Sequence, residues 1–146
     1  MCEPVRQDDL SIAHPDRLFR RIHLAQVVRD DDTGLARISS SAFRDKELSI
    51  NIESVLLSGG QTAVVCIEKH PNHKLAAITA GEARQYQQVV YRDPLPEVPS
   101  HGLICGSKSP RRIQDCLRTA AQWIVPAQAP LYADILREKR SIGLPE

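Results

Sequence analysis

The chain is poor in aromatic residues, with one Trp, three Tyr and two Phe among 146 residues. A core built with so few must be mostly aliphatic, and stacking against exposed bases has few side chains to draw on. Net charge is nearly absent too. Nineteen Lys and Arg stand against eighteen Asp and Glu, for a formal charge of +1. No global field therefore pulls the chain toward nucleic acid or an anionic membrane. The stretch from residue 101 onward holds three more cations than anions, so any basic patch is local. No apolar run approaches the roughly 20 residues of a membrane span. The opening segment, Met1 to Asp9, lacks the apolar centre of a signal peptide. These absences lead us to expect a cytoplasmic protein with no membrane association. In that setting the four cysteines, Cys2, Cys66, Cys105 and Cys116, which show no close pairing, read as free thiols. No internal repeat, nucleophile elbow, H-E-x-x-H helix or kinase loop occurs.

What is present is an ordinary globular balance, 42% apolar and 25% charged, in a length that suits one domain. Residues 1–17 are polar, acidic and contain Pro4 and Pro15, and we expect a loosely held arm there. The single domain then runs over 18–146. Arg37 to Phe43 and Leu48 to Ile52 are the stretch around which the rest is organised. Both alternate like strands, and the alternation of Leu48, Ile50 and Ile52 marks a half-buried one. Before them, Leu18 to Leu24 alternates, with Leu18, Ile22 and Leu24 on one face and Arg20 between them, and Phe19, Arg21 and His23 on the other. A helical reading through Leu18, Ile22 and Ala25 fits almost as well, and a strand is expected because the β-rich stretch that follows needs partners. Asp30 to Gly34 has turn chemistry. Thr62 to Lys69 suggests a helix ended by Pro71, because the residue before a proline disfavours the α region. Leu75 to Thr79, Gln88 to Tyr91 and His101 to Gly106 read as strands, with a short helix over Ala80 to Gln85 and a rigid three-proline loop over Asp93 to Pro99. A helix begins at Ser109, a good N-cap before Pro110, and carries apolar residues at helical spacing to Ile124. A last helix starts at Leu131. The sum is an α+β domain with a mixed, mainly antiparallel sheet of five or six strands and two C-terminal helices.

Three groups could carry chemistry. If the first strands are neighbours, Arg20, Arg21, His23, Arg37, Ser39, Ser40 and Ser49 line a cationic pocket with hydroxyl donors. Arg forks bind phosphate or carboxylate through two parallel bonds. His101, next to the proline loop, is placed for general acid or base work, with Asp93 as its orienting partner. The strand-to-helix turn from Gly106 to Arg112 offers an anion free N–H groups and the cations Lys108, Arg111 and Arg112, without the spacing of a P-loop. Cys66, His70 and His73 are as closely spaced as zinc ligands. No second close pair accompanies them, and no metal site is assigned.

The pattern Arg21-Ile22-His23, Ser39 to Phe43, Leu48-Ser49-Ile50, Asp93 to Pro96 and His101 resembles a group of small bacterial proteins of uncharacterised function, over about residues 18–125. The resemblance implies a bacterial source and a single cytosolic domain, and it brings no activity with it. A fainter one is to ADP-ribosyltransferase-like folds, in which Arg20 or Arg21, Ser39-Ser40-Ser41 and Glu82 would take the family positions. The chain departs from that pattern in having Ser for the middle Thr and no Glu-x-Glu pair. The expectation is thus binding of a phosphate-bearing, nucleotide-like ligand in an Arg/Ser/His pocket, with no cofactor specified and catalysis left open. The alternative is a non-enzymatic interaction module or accessory subunit that docks on a protein partner. Direct nucleic-acid recognition is disfavoured.

Overall fold

The structure, a computed structural model, describes residues 7–109 and 111–145. The strands and helices follow in the order β1 (Arg17–His23), β2 (Val27–Arg29), β3 (Ala36–Ile38), β4 (Glu47–Ile52), α1 (Glu53–Ser58), β5 (His73–Thr79), α2 (Ala80–Gln85), β6 (Val89–Arg92), β7 (His101–Cys105), α3 (Arg111–Ala120), β8 (Gln122–Val125) and α4 (Tyr132–Ser141). Six strands form one sheet in the order β6-β7-β4-β1-β5-β8, and β2 and β3 pair separately as a hairpin. All described pairs are antiparallel, so the sheet is not mixed. The α+β class holds. None of the described helices is long and apolar enough to cross a membrane.

Alternation places Leu18, Ile22, Ile50, Ile52, Ile78 and Ile104 on one face of the sheet, where they are buried. Leu117 of α3, Ile135 of α4 and Ala83 of α2 belong to the same core. Each fully buried Leu or Ile contributes about 1.5–3 kcal/mol by leaving water, and this aliphatic layer fits a chain short of aromatics. The second face is covered over only part of its area. There Phe19, Leu75 and Ala77 pack with Leu56 of α1 and Cys66 of a 3-10 turn, Ala63–Cys66. The rest of that face carries the polar side chains of β1, β4, β5 and β7.

β1 matches β5 residue for residue, from Arg17 opposite Thr79 to His23 opposite His73. Against β4 it pairs only at Leu18 with Ile52 and at Phe19 with Asn51. Beyond Phe19 the two strands part. Arg20 fills the gap, with Nη1 donating to the Ser49 carbonyl at 3.0 Å and Nε to the Ala42 carbonyl at 3.1 Å. A side chain thus replaces the missing rungs of the ladder.

Four expectations are corrected. The strand expected over 37–43 stops at Ile38. Ser39 accepts from the N–H of Ser41 and caps a 3-10 turn over Ser40–Phe43, a local bond that competes with the extended ladder. The helix read over 62–69 is only the single 3-10 turn. The helix read from Ser109 to Ile124 ends at Ala120, because residues 122–125 pair with β5 as its outer neighbour. Pro110 lies outside the described residues. Finally, residues 8–16 are fastened rather than loose. Ile12 is buried in the core, and Asp8 accepts from Arg84 and from the N–H of Val90. The part of the arm before residue 7, with Cys2, lies outside the described residues.

Local chemistry accounts for the connections that worked as read. Asp30 Oδ1 accepts from the N–H groups of Asp32 and Thr33, and Gly34 supplies φ of +73°, which closes the hairpin. Thr79 and Glu82 form a reciprocal capping box at the start of α2.

Candidate functional site

The open part of the second face is a cleft in two lobes that share Arg21, Asn51 and Val98. The first lobe, about 410 Å³, lies where β1 and β4 part. Arg20, Arg21 and His23 reach it from β1, Ser49 from β4, His73 from β5 and His101 from β7. The second, about 430 Å³, lies between the 3-10 turn and the proline loop, with Leu56, Gln61, Val65, Pro99 and Ser100 in its wall.

The first lobe is cationic. Neither Arg20 nor Arg21 is in any ion pair found among the described residues. The guanidinium of Arg20 is tied to backbone carbonyls, and burial pushes its pKa down. Arg21 makes one long bond, from Nη1 to the Cys66 carbonyl at 3.4 Å. Nδ1 of His23 accepts from the N–H of Ala25 at 3.0 Å. In the neutral ring that bond leaves the proton on Nε2, so His23 offers a donor there. His73 stands edge-on to His23 and to His70, with ring centroids 5.0 and 5.5 Å apart. Burial, and then the neighbouring His23, His70 and Arg21, hold its pKa below the ordinary value, and its buried Nδ1 has no hydrogen-bond partner among the described residues.

His101 is oriented from the proline loop. Its Nδ1 lies 2.9 Å from the Asp93 carbonyl oxygen and 3.1 Å from the Asp93 carboxylate. Two acceptors at one nitrogen place the proton on Nδ1 and leave Nε2 with its lone pair in the neutral ring. The expected pairing of these two residues is therefore present in the geometry.

Asn51 is 8% exposed and sits where the lobes meet. Its Oδ1 accepts from the hydroxyl of Ser100, itself buried, at 2.9 Å. Sequence reasoning passed over both residues. The parity of β4 puts Asn51 on the face of Ser49, but nothing in the chain announces a partner 49 positions away.

The structure brings together Arg20, Arg21, His23, Ser49 and His101, with Asp93 behind the last. Six other candidates, Arg111 among them, stand apart from the cleft. Arg37, on β3, lines a different depression with Arg118 and Trp123. Ser39 caps its own turn, and Ser40 accepts from Arg111 Nη2 at 3.2 Å. Lys108 turns inward instead of presenting its charge at the turn before α3. Its Nζ donates to the carbonyls of Lys46 at 2.8 Å and Gly106 at 3.1 Å. Glu82 is engaged in the cap of α2. Among the described residues no cluster of three or more His, Cys, Asp or Glu is arranged to hold a metal ion. Burial pushes the Cys66 thiol up to about 11, far from the thiolate form that reacts or ligates at neutral pH.

No family model matches this chain, and neither a curated protein nor a solved structure matches it.

Proposed function

We propose that the cleft binds a phosphate-bearing ligand, with its anionic group in the lobe between β1 and β4. The observation that carries the reading is the pair Arg20 and Arg21, two guanidinium groups at one cavity with no carboxylate in contact with either among the described residues. Structural arginines are commonly paired with acids, whereas unpaired ones in a concave site leave their donors for an anion. The fixed donor of His23 and the hydroxyl of Ser49 add to that set. His101, positioned by Asp93, stands at the same lobe with a free nitrogen, an arrangement suited to moving a proton at the bound group. A cytoplasmic setting belongs to the same reading, supported by the free thiols of Cys66, Cys105 and Cys116.

Calorimetric titration with inorganic phosphate and with nucleoside phosphates tests it. The wild-type chain is expected to bind, and Arg21→Ala to weaken binding by about tenfold or more, the worth of one charge-assisted contact. A folded wild type with no affinity for any phosphate would remove this reading in favour of an accessory module.

A further inference from the structure

We infer that the ligand is a phosphate monoester of a nucleoside, its phosphate in the first lobe and its neutral body in the second. This rests on the phosphate reading above and adds to it the part of the ligand that is not phosphate.

Asn51 stands where the two lobes meet. Its side chain is more than nine-tenths buried and lines both lobes. The Ser100 hydroxyl occupies Oδ1, so the amide faces the cleft with its NH₂ group. That group makes no hydrogen bond within the described residues. The nitrogen is not fully buried, so it stays open at the cleft, where a carbonyl, ring nitrogen or ether oxygen on a ligand can accept from it. Phosphate seated against Arg20 and Arg21 leaves this donor to whatever the phosphate is attached to.

The second lobe selects the character of that body. Arg21 is shared with the first lobe, and Glu68 and Glu97 stand at the second with Lys69. Two carboxylates against one further cation repel a second anionic group and accept hydrogen bonds from amino or hydroxyl groups. Leu56, Val65, Val98 and Pro99 add apolar surface to a wall in which polar groups predominate. A neutral, flat ring with polar edges matches apolar patches set among hydrogen-bonding groups. Size agrees. Two adjoining lobes of about 410 and 430 Å³ that share Arg21, Asn51 and Val98 exceed what a bare phosphate fills and fall within the ~300–1,000 Å³ of small-molecule sites.

Calorimetric titration of the full chain with inorganic phosphate, ribose 5-phosphate, adenosine and adenosine 5′-monophosphate decides the matter. The nucleotide is expected to bind on the order of tenfold tighter than ribose 5-phosphate and tighter still than phosphate. Asn51→Ala should erase most of that advantage while leaving phosphate affinity in place. The ranking is read on the wild-type chain, so it stands even if the variant fails to fold. Equal affinity for nucleotide and phosphate would overturn the nucleoside assignment and leave the phosphate reading intact. Equal affinity for nucleotide and ribose 5-phosphate would overturn it in favour of a sugar phosphate. Loss of binding to all of them would bring down both readings.

Discussion

The buried hydroxyl of Ser100 donates to Oδ1 of Asn51 at 2.9 Å, and this bond joins the end of the proline loop to the centre of the sheet. It also fixes which end of the Asn51 amide reaches the cleft. Ser100→Ala removes the donor and leaves a buried oxygen unmatched. We predict a loss of about 1–2 kcal/mol in stability, measured by urea denaturation. The nucleotide affinity should fall with it, because the amide is then free to turn.

Arg20 and Arg21 are neighbours with different duties. Arg20 bridges the parted strands through the carbonyls of Ala42 and Ser49, whereas Arg21 holds only the Cys66 carbonyl at 3.4 Å. Arg20→Ala is expected to lower stability by about 1–3 kcal/mol, since two acceptors lose a charged donor. Arg21→Ala should change stability by less than about 0.5 kcal/mol yet weaken phosphate binding at least as much. Thermal melts beside titrations of the two variants separate these roles, and equal losses of stability would contradict the assignment.

Protonation of the histidine cluster gives the apo protein a defined pH response. Burial, first, and the neighbouring cations hold His73 below its ordinary value of 6.5, and burial with Arg21 does the same for His70. The unfolded chain therefore takes up protons that the folded chain refuses. Stability from these residues is full above 6.5 and is lost as pH falls through the folded values. Denaturation series across this range should show the fall in wild type and a shallower one in His73→Gln. A bound phosphate supplies the missing counter-charge, so phosphate affinity is expected to rise over the same interval.

Lys108 offers the opposite test, of a cation that serves the fold. Its ammonium is buried and donates to the carbonyls of Lys46 and Gly106. Lys108→Met should cost about 2 kcal/mol by stranding those oxygens and should leave phosphate affinity unchanged. Burial lowers the Lys108 pKa from 10.5 to about 8. Between these values the unfolded chain holds the extra proton. The stability contribution is full above 10.5 and is lost as pH falls toward 8. Wild type should show that slope in denaturation midpoints, and Lys108→Met should lack it.

Much of the sheet was legible because alternation reports burial on one face. Leu18 and Ile22, and Leu48, Ile50 and Ile52, announced β1 and β4 this way, and the same parity put Arg21, His23 and Ser49 together. Arg20 has the other parity and still reaches the cleft, because the strands part beside it. No local pattern encodes that split. Ile113 to Ile124 has helical spacing throughout, yet Gln122–Val125 leaves the helix for the edge of β5. A contact across the sheet outweighed the local periodicity there. The cations near the start of α3 looked like a site because sequence shows charge and not direction. Lys108 spends its charge inward, and Arg111 reaches Ser40.

The segment ahead of β1 also pairs with the outer strand β6. Val90 lies on β6, at one border of the sheet. Its N–H goes to the Asp8 carboxylate at 2.9 Å, and its carbonyl accepts from the N–H of Asp9 at 2.7 Å. An unoccupied border of this kind is a template on which a foreign strand can grow. Here the chain lays its own leading peptide along that rail and sets two carboxylates beside it. Protection against self-assembly on this side is thus supplied by residues that contribute nothing to the cleft, and trimming them would turn a closed border into an adhesive one.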